Sequence, residues 1–145
     1  MDWKGHIIVG VALSFLGSLV VGNIVAFIWA IPLIILSSLM PDIDIENSKG
    51  KKLLDILVIL FGLSIYGSSI SKLMNGGYIL VLALYGGYSL AVLLFKPKHR
   101  GITHTIVAAM AYSVLLYTLF GWQKSMYGAI AYMSHLVADR HIKII

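Results

Sequence analysis

Long apolar runs dominate this chain, and the few polar stretches between them mark where it turns. From Gly5 to Pro41 no side chain carries a formal charge. A membrane-spanning helix needs about 20 residues. The run therefore predicts two helices, near 6–21 and 24–40, parted at Gly22-Asn23, its one turn-like pair. Pro32 predicts a kink in the second. Met40-Pro41-Asp42 predicts its end, because a residue before proline is pushed out of the helical region. A polar stretch follows over 42–52. Further apolar segments run near 53–71, 78–95, 103–120 and 125–138. They are parted by Lys72 with Asn75-Gly76-Gly77, by Lys96-Pro97-Lys98-His99-Arg100-Gly101, and by Gly121-Trp122-Gln123-Lys124. No internal repeat, low-complexity tract or long linker divides the chain, so residues 1–145 are expected to form a single domain.

Composition sharpens this pattern. Of 145 residues, 59% are apolar and 12% charged, and the mean hydropathy is +0.92. A soluble domain carries roughly 25% charged residues, so a water-soluble globule is excluded. Disorder is excluded as well, because disordered chains are poor in apolar residues. A cleaved signal peptide would need a hydrophilic chain behind it, and more membrane follows the first segment. With no cysteine there are no disulfides, thiolate zinc sites, iron–sulfur clusters or cysteine nucleophiles. The expectation is an all-α, polytopic membrane bundle of about six helices.

Six spans would put both termini and the connections 42–52 and 96–102 on one side. Lys4, Lys49, Lys51, Lys52, Lys96, Lys98, Arg100, Arg140 and Lys143 lie there, nine of the eleven basic residues. Only Lys72 and Lys124 fall opposite. The positive-inside rule makes the crowded side cytoplasmic. The net charge of +5 then reads as topology and attraction to anionic head groups. No basic patch interleaved with aromatics speaks for nucleic acid. The sequence specifies no oligomeric state.

The ionisable residues gather at the same membrane ends. His6 opens the first segment, and Asp42 and Asp44 close the second. His99 and His104 bracket the turn into the fifth. His135 and Asp139, four apart in the sixth, share one helical face. Imidazole and carboxylate are the ligands of zinc, manganese and iron. Seven such groups exceed one tetrahedral ion and suit two or three, zinc before manganese or iron. Helical bundles build metal sites from inward-facing side chains of this kind. Taken singly, several have bland readings: His6 as an interfacial residue, Pro41-Asp42-Ile43-Asp44 as a capped turn, His99 as part of a solvated basic loop. His135 is different, because an ionisable group inside an apolar segment is costly and marks function. His141, beyond the last segment, reads as idle. Arg100 suits either a bidentate grip on phosphate or one more topology-setting charge. No serine or threonine stands in a base-and-orienter pattern.

His6, Met40-Pro41-Asp42-Ile43-Asp44, His99-Arg100-Gly101-Ile102-Thr103-His104 and Ser134-His135-Leu136-Val137-Ala138-Asp139 together resemble the YdjM-type inner-membrane metal-dependent hydrolases. The resemblance runs from residue 6 to 139, with Met40 where the family usually has Leu and Thr105 where it often has Ser. It implies a helical core related to zinc-dependent phospholipase C and nuclease P1, whose clustered metals hydrolyse phosphoesters. It also implies the label LexA-binding, and with it a regulatory protein partner.

These readings converge on a divalent-metal hydrolase that cuts a phosphoester of a lipid or lipid-linked molecule at the cytoplasmic interface. His6, His99, His104 and His135 would supply nitrogen ligands, and Asp42, Asp44 and Asp139 oxygens. Bound divalent ions lower the pKa of water to about 7. Asp44 or Asp42 would bridge the ions or take the water's proton, and Arg100 would hold the phosphate oxygens. The alternative is a non-catalytic membrane regulator with a structural metal site that binds a cytoplasmic protein. A metal-ion transporter is the third reading, but it should hold its ligands near the bilayer midplane, whereas these cluster at one end.

Overall fold

Side-chain caps set where the helices begin. In the computed structural model, which describes residues 1–45, 47–67, 69–94 and 102–139 (the side chains of Asp44 and Leu94 excepted), the Asp2 carboxylate accepts from the Gly5 N–H at 2.9 Å. It opens α1 (Trp3–Val21), which Gly22 closes in the left-handed region at φ 71°. Asn23 accepts from the Ala26 N–H at 2.9 Å and opens α2 (Ile24–Leu39). The break thus falls at the expected Gly22-Asn23 pair. Pro32 lies within α2, which continues through it as one helix rather than breaking there. A 3-10 turn, Met40–Asp44, follows with Pro41 near its start. Ser48 caps α3 (Lys49–Tyr66) by accepting from the Lys51 N–H at 3.0 Å. Short helical turns over 70–77 lead into α4 (Tyr78–Leu94). Thr105 caps α5 (Ile106–Ala138).

The fold is all-helical among the described residues, with five long helices where six were expected. The expected fifth and sixth segments, 103–120 and 125–138, are two arms of the 33-residue α5. Its backbone leaves the helical region at Gly121 (φ 75°, ψ 175°), a conformation glycine adopts without a Cβ penalty. Beyond Gly121 the chain folds back along itself. The Tyr112 and Tyr132 rings meet at 5.0 Å, Ala109 packs with Tyr132 and Leu136, and Gly128 faces Leu116.

Among the described residues, four stretches have the length and apolarity of a membrane crossing: Trp3–Val21, Ile24–Ile43, Ile70–Leu93 and Ile106–Ala138, the last of which reverses at Gly121. The expected third span, 53–71, is not among them. Its helix α3 begins earlier, at Lys49, and its first turns carry Lys51, Lys52 and Asp55, with Lys51 and Asp55 paired at 2.9 Å. Charged turns of this kind are expensive in hydrocarbon.

α1, α2 and α5 pack together around Phe27, Ala30, Ile34, Tyr127 and Ala131. Small residues let these backbones approach closely, as they do in membrane bundles. His6, Gly10, Ser14 and Ser18 recur every fourth residue and form the buried stripe of α1. Ser14 donates to the Tyr127 carbonyl oxygen at 3.2 Å. α3 and α4 form a separate pair leaning on the 3-10 turn. Outward-facing positions such as Val20, Trp29, Ile70 and Leu82 are large and apolar. In water so much exposed apolar surface would aggregate; in a bilayer it is the solvent-matched face.

Candidate metal centre

The centre is assembled at the end of the bundle where the described chain both begins and ends. The Met1 amino group donates to Asp139 Oδ1 at 3.0 Å, joining positions 138 residues apart. Three local features deliver the side chains. The 3-10 turn after α2 carries Asp42, a second 3-10 turn, Ile102–His104, carries His104, and the last turn of α5 carries His135 with Asp139 just beyond it.

His135 is fully buried, and its Nδ1 lies 2.7 Å from the Ser38 carbonyl oxygen. A carbonyl only accepts, so Nδ1 carries the proton and donates, and Nε2 presents its lone pair. That Nε2 makes no hydrogen bond. Instead it lies 3.4 Å from Asp42 Oδ1 and 3.6 Å from Asp139 Oδ2, while His104 Nε2 lies 3.6 Å from Asp42 Oδ1. These separations are long for hydrogen bonds. They are close to about 3.3 Å, the edge of a tetrahedron whose metal–ligand bonds are about 2.0–2.1 Å. One ligand atom from each of Asp42, His104, His135 and Asp139 lies within 4.8 Å of all the others. The donor set, two imidazoles and two carboxylates, is the chemistry of a divalent transition-metal site. A backbone carbonyl orienting the metal-facing histidine is its usual outer support.

His6 stands just outside this group of four. Its ring stacks on His135 with centroids 3.7 Å apart and planes 13° apart, and its Nε2 is 3.2 Å from Asp139 Oδ1. His6 and the Met1 amino group thus grip the same carboxylate oxygen. Burial, the largest influence on Asp139, opposes its ionisation. The hydrogen bond from the Met1 amino group and the charges of His6 and His135 outweigh burial and hold the carboxyl below its usual range.

Of the residues singled out from the sequence, His6, Asp42, His104, His135 and Asp139 come together. Asp44 closes the 3-10 turn that carries Asp42, but its side chain lies outside what is described. His99, Arg100 and His141 also lie outside the described residues. Three supports went unread in the sequence. The Ser38 carbonyl and the Met1 amino group are backbone atoms and leave no side-chain signal. Tyr132 donates to the Thr103 carbonyl oxygen at 2.6 Å, tying the His104 turn to α5. The four-residue stripe beginning at His6, also unread, has a spacing visible in the sequence and marks the buried face of α1.

The family model of the YdjM inner membrane proteins matches residues 1–143. The chain belongs to this family. No curated protein and no solved structure matches it, so the expected phospholipase C and nuclease P1 core is not supported. As a YdjM-family chain it carries its candidate metal centre inside the matched region, on two 3-10 turns and the end of α5.

Proposed function

We propose that this YdjM-family membrane protein is a divalent-metal-dependent hydrolase of a phosphoester in a lipid or lipid-linked substrate. The reading rests on one observation above the others: a fully buried imidazole, His135, whose outer nitrogen is fixed by Ser38 while its inner nitrogen faces two carboxylates without a hydrogen bond. Burying that arrangement without a cation would leave a polar atom unsatisfied at a cost of about 1–3 kcal/mol.

When bound, a divalent cation would supply Lewis acidity and a water acidic near neutral pH. Asp42, His104, His135 and Asp139 would hold it. Asp42 is the more open of the two carboxylates, with its side chain 21% exposed against 10% for Asp139. That exposure supports Asp42 as the group that would take a proton from an attacking water, a role Asp44 shares as candidate. His6 and the Met1 amino group keep Asp139 ionised and aimed inward. Arg100 is the candidate for gripping nonbridging phosphate oxygens as their charge grows. The basic bias around residues 49–52 and 96–100 supports a cytoplasmic position for this end of the bundle.

A structural metal in a regulator that binds a cytoplasmic protein is the second reading. Four protein ligands complete a tetrahedron unaided, and structural sites are closed in that way. The partial exposure of Asp42 favours the enzyme. The test is hydrolysis of bis(p-nitrophenyl) phosphate by the purified, zinc- or manganese-loaded protein. Asp42→Asn is expected to lower the rate at least a hundredfold, within the range for loss of a general base. Tight metal binding with no hydrolysis of this or any lipid phosphoester would favour the regulator.

A further inference from the structure

A cavity of about 680 Å³ lies between α1 and the two arms of α5. Val9 of α1, Tyr117 of the first arm and Ile130 and Val137 of the second are among its walls, which extend from Trp122 to Ala138. Its serines do not make it polar. Ser113, Ser125 and Ser134 each return their hydroxyl to a carbonyl of their own helix, at 2.7, 2.9 and 2.7 Å. The wall seen by an occupant is therefore hydrocarbon.

One end of this groove lies level with the metal centre along the helices, although no residue of the centre is in its wall. Ala138 precedes Asp139, Ser134 precedes His135, and Val9 follows His6 by one turn of α1. The other end reaches Trp122 at the Gly121 reversal. At 1.5 Å per residue the second arm makes the groove about 24 Å long. Spread over that length, and with the radius of a water molecule added at each wall, the volume corresponds to a groove about 9 Å wide, narrower than the 10–12 Å diameter of a helix with its side chains. It is too narrow for a transmembrane helix of a partner or of a second copy. It fits one hydrocarbon chain.

We infer that the groove holds one hydrocarbon tail of a phosphate-bearing membrane lipid, lying along α5 with its head group at the His104–His135 end. This names the substrate class for the hydrolase reading and rests on it, since the head group would be the phosphoester presented to the centre. Its length exceeds half the roughly 30 Å hydrocarbon thickness, so the site selects long tails.

The full-length protein in phosphatidylcholine vesicles, doped with phosphatidic acid carrying a diazirine in one tail, tests this by photolabelling and peptide mapping. Label is expected to concentrate on 113–138 and to be displaced by unlabelled phosphatidic acid. Ala129→Trp and, independently, Val9→Trp fill the groove and are expected to cut the label at least fivefold while metal content stays unchanged. Leu82→Trp, on the outward face of α4, is expected to leave it intact. Saturable labelling without any phosphoester hydrolysis would uphold the groove and overturn the enzyme reading alone. Labelling spread evenly over the spans and indifferent to Ala129→Trp and Val9→Trp would overturn the groove, as would cross-links between two copies through Met126 and Ile130.

Discussion

Gly10→Ala probes how closely the helices around the centre approach. A Cβ built on Gly10 overlaps Ser38 Oγ and lies 3.3 Å from Ser38 Cβ and 3.4 Å from Ser134 Oγ. Ser38 is fully buried, and its hydroxyl donates to the Ile34 carbonyl oxygen at 2.8 Å. It can yield only by breaking that bond or by pushing α1 and α2 apart. Overpacking of this kind costs about 1–3 kcal/mol, or roughly 3–9 °C in melting temperature for a chain of this size. The same residue's carbonyl oxygen orients His135, so the strain should reach the metal. Loss of such an outer support weakens metal binding by about 10–100-fold. Adding Ser38→Ala removes the overlapping hydroxyl and should recover more than half of both losses. Thermal unfolding in detergent and competition with a fluorescent zinc chelator read the two effects. A Gly10→Ala protein within 0.5 kcal/mol of the parent, with unchanged metal affinity, would refute this packing.

Other outcomes follow from the same geometry. His135→Ala and Asp139→Ala should each abolish phosphodiester hydrolysis with the protein still in the membrane, and the double variant should be no worse, because the two act as one unit. Zinc retention should fall on acidification, since protons compete with the metal for its imidazole and carboxylate ligands; retention at pH 4.5 equal to that at pH 8 would contradict this. Asp139, with its carboxyl held below the usual range, contributes stability present above the ordinary value of about 3.9 and lost as pH falls through its lowered value. Acid unfolding of Asp139→Asn should lack that component. Tyr132→Phe should destabilise by about 0.5–1.5 kcal/mol and weaken metal binding through the freed His104 turn. Reporter fusions at Met1 and after Asp139 should report one side of the membrane, because these positions touch.

The helices were legible where sequence chemistry is local. Asn23 and Pro41 mark their positions through capping and a fixed φ, and the structure places the breaks there. The third segment is a helix, but over Lys49–Tyr66 and not 53–71, because its start is set by the Ser48 cap among the lysines and not by where the apolar run begins. The chain reverses at Gly121, within the Gly121-Trp122-Gln123-Lys124 stretch where the sequence parts the fifth and sixth segments, though a single positive-φ glycine makes the turn with no longer loop. At the site, residue type and the four-residue spacing sufficed to find His135 and Asp139. Pairing them with Asp42 and His104 needs the tertiary fold. So does the role of Ser38, which acts through its carbonyl and not its side chain.

Metal content of the purified protein tests the centre most directly. Elemental analysis after mild dialysis should find at least one divalent ion per chain, and His135→Ala, still folded and membrane-inserted, should retain almost none. A parent protein with far less than one ion per chain after zinc and manganese loading, or a His135→Ala variant with undiminished metal, would contradict the account.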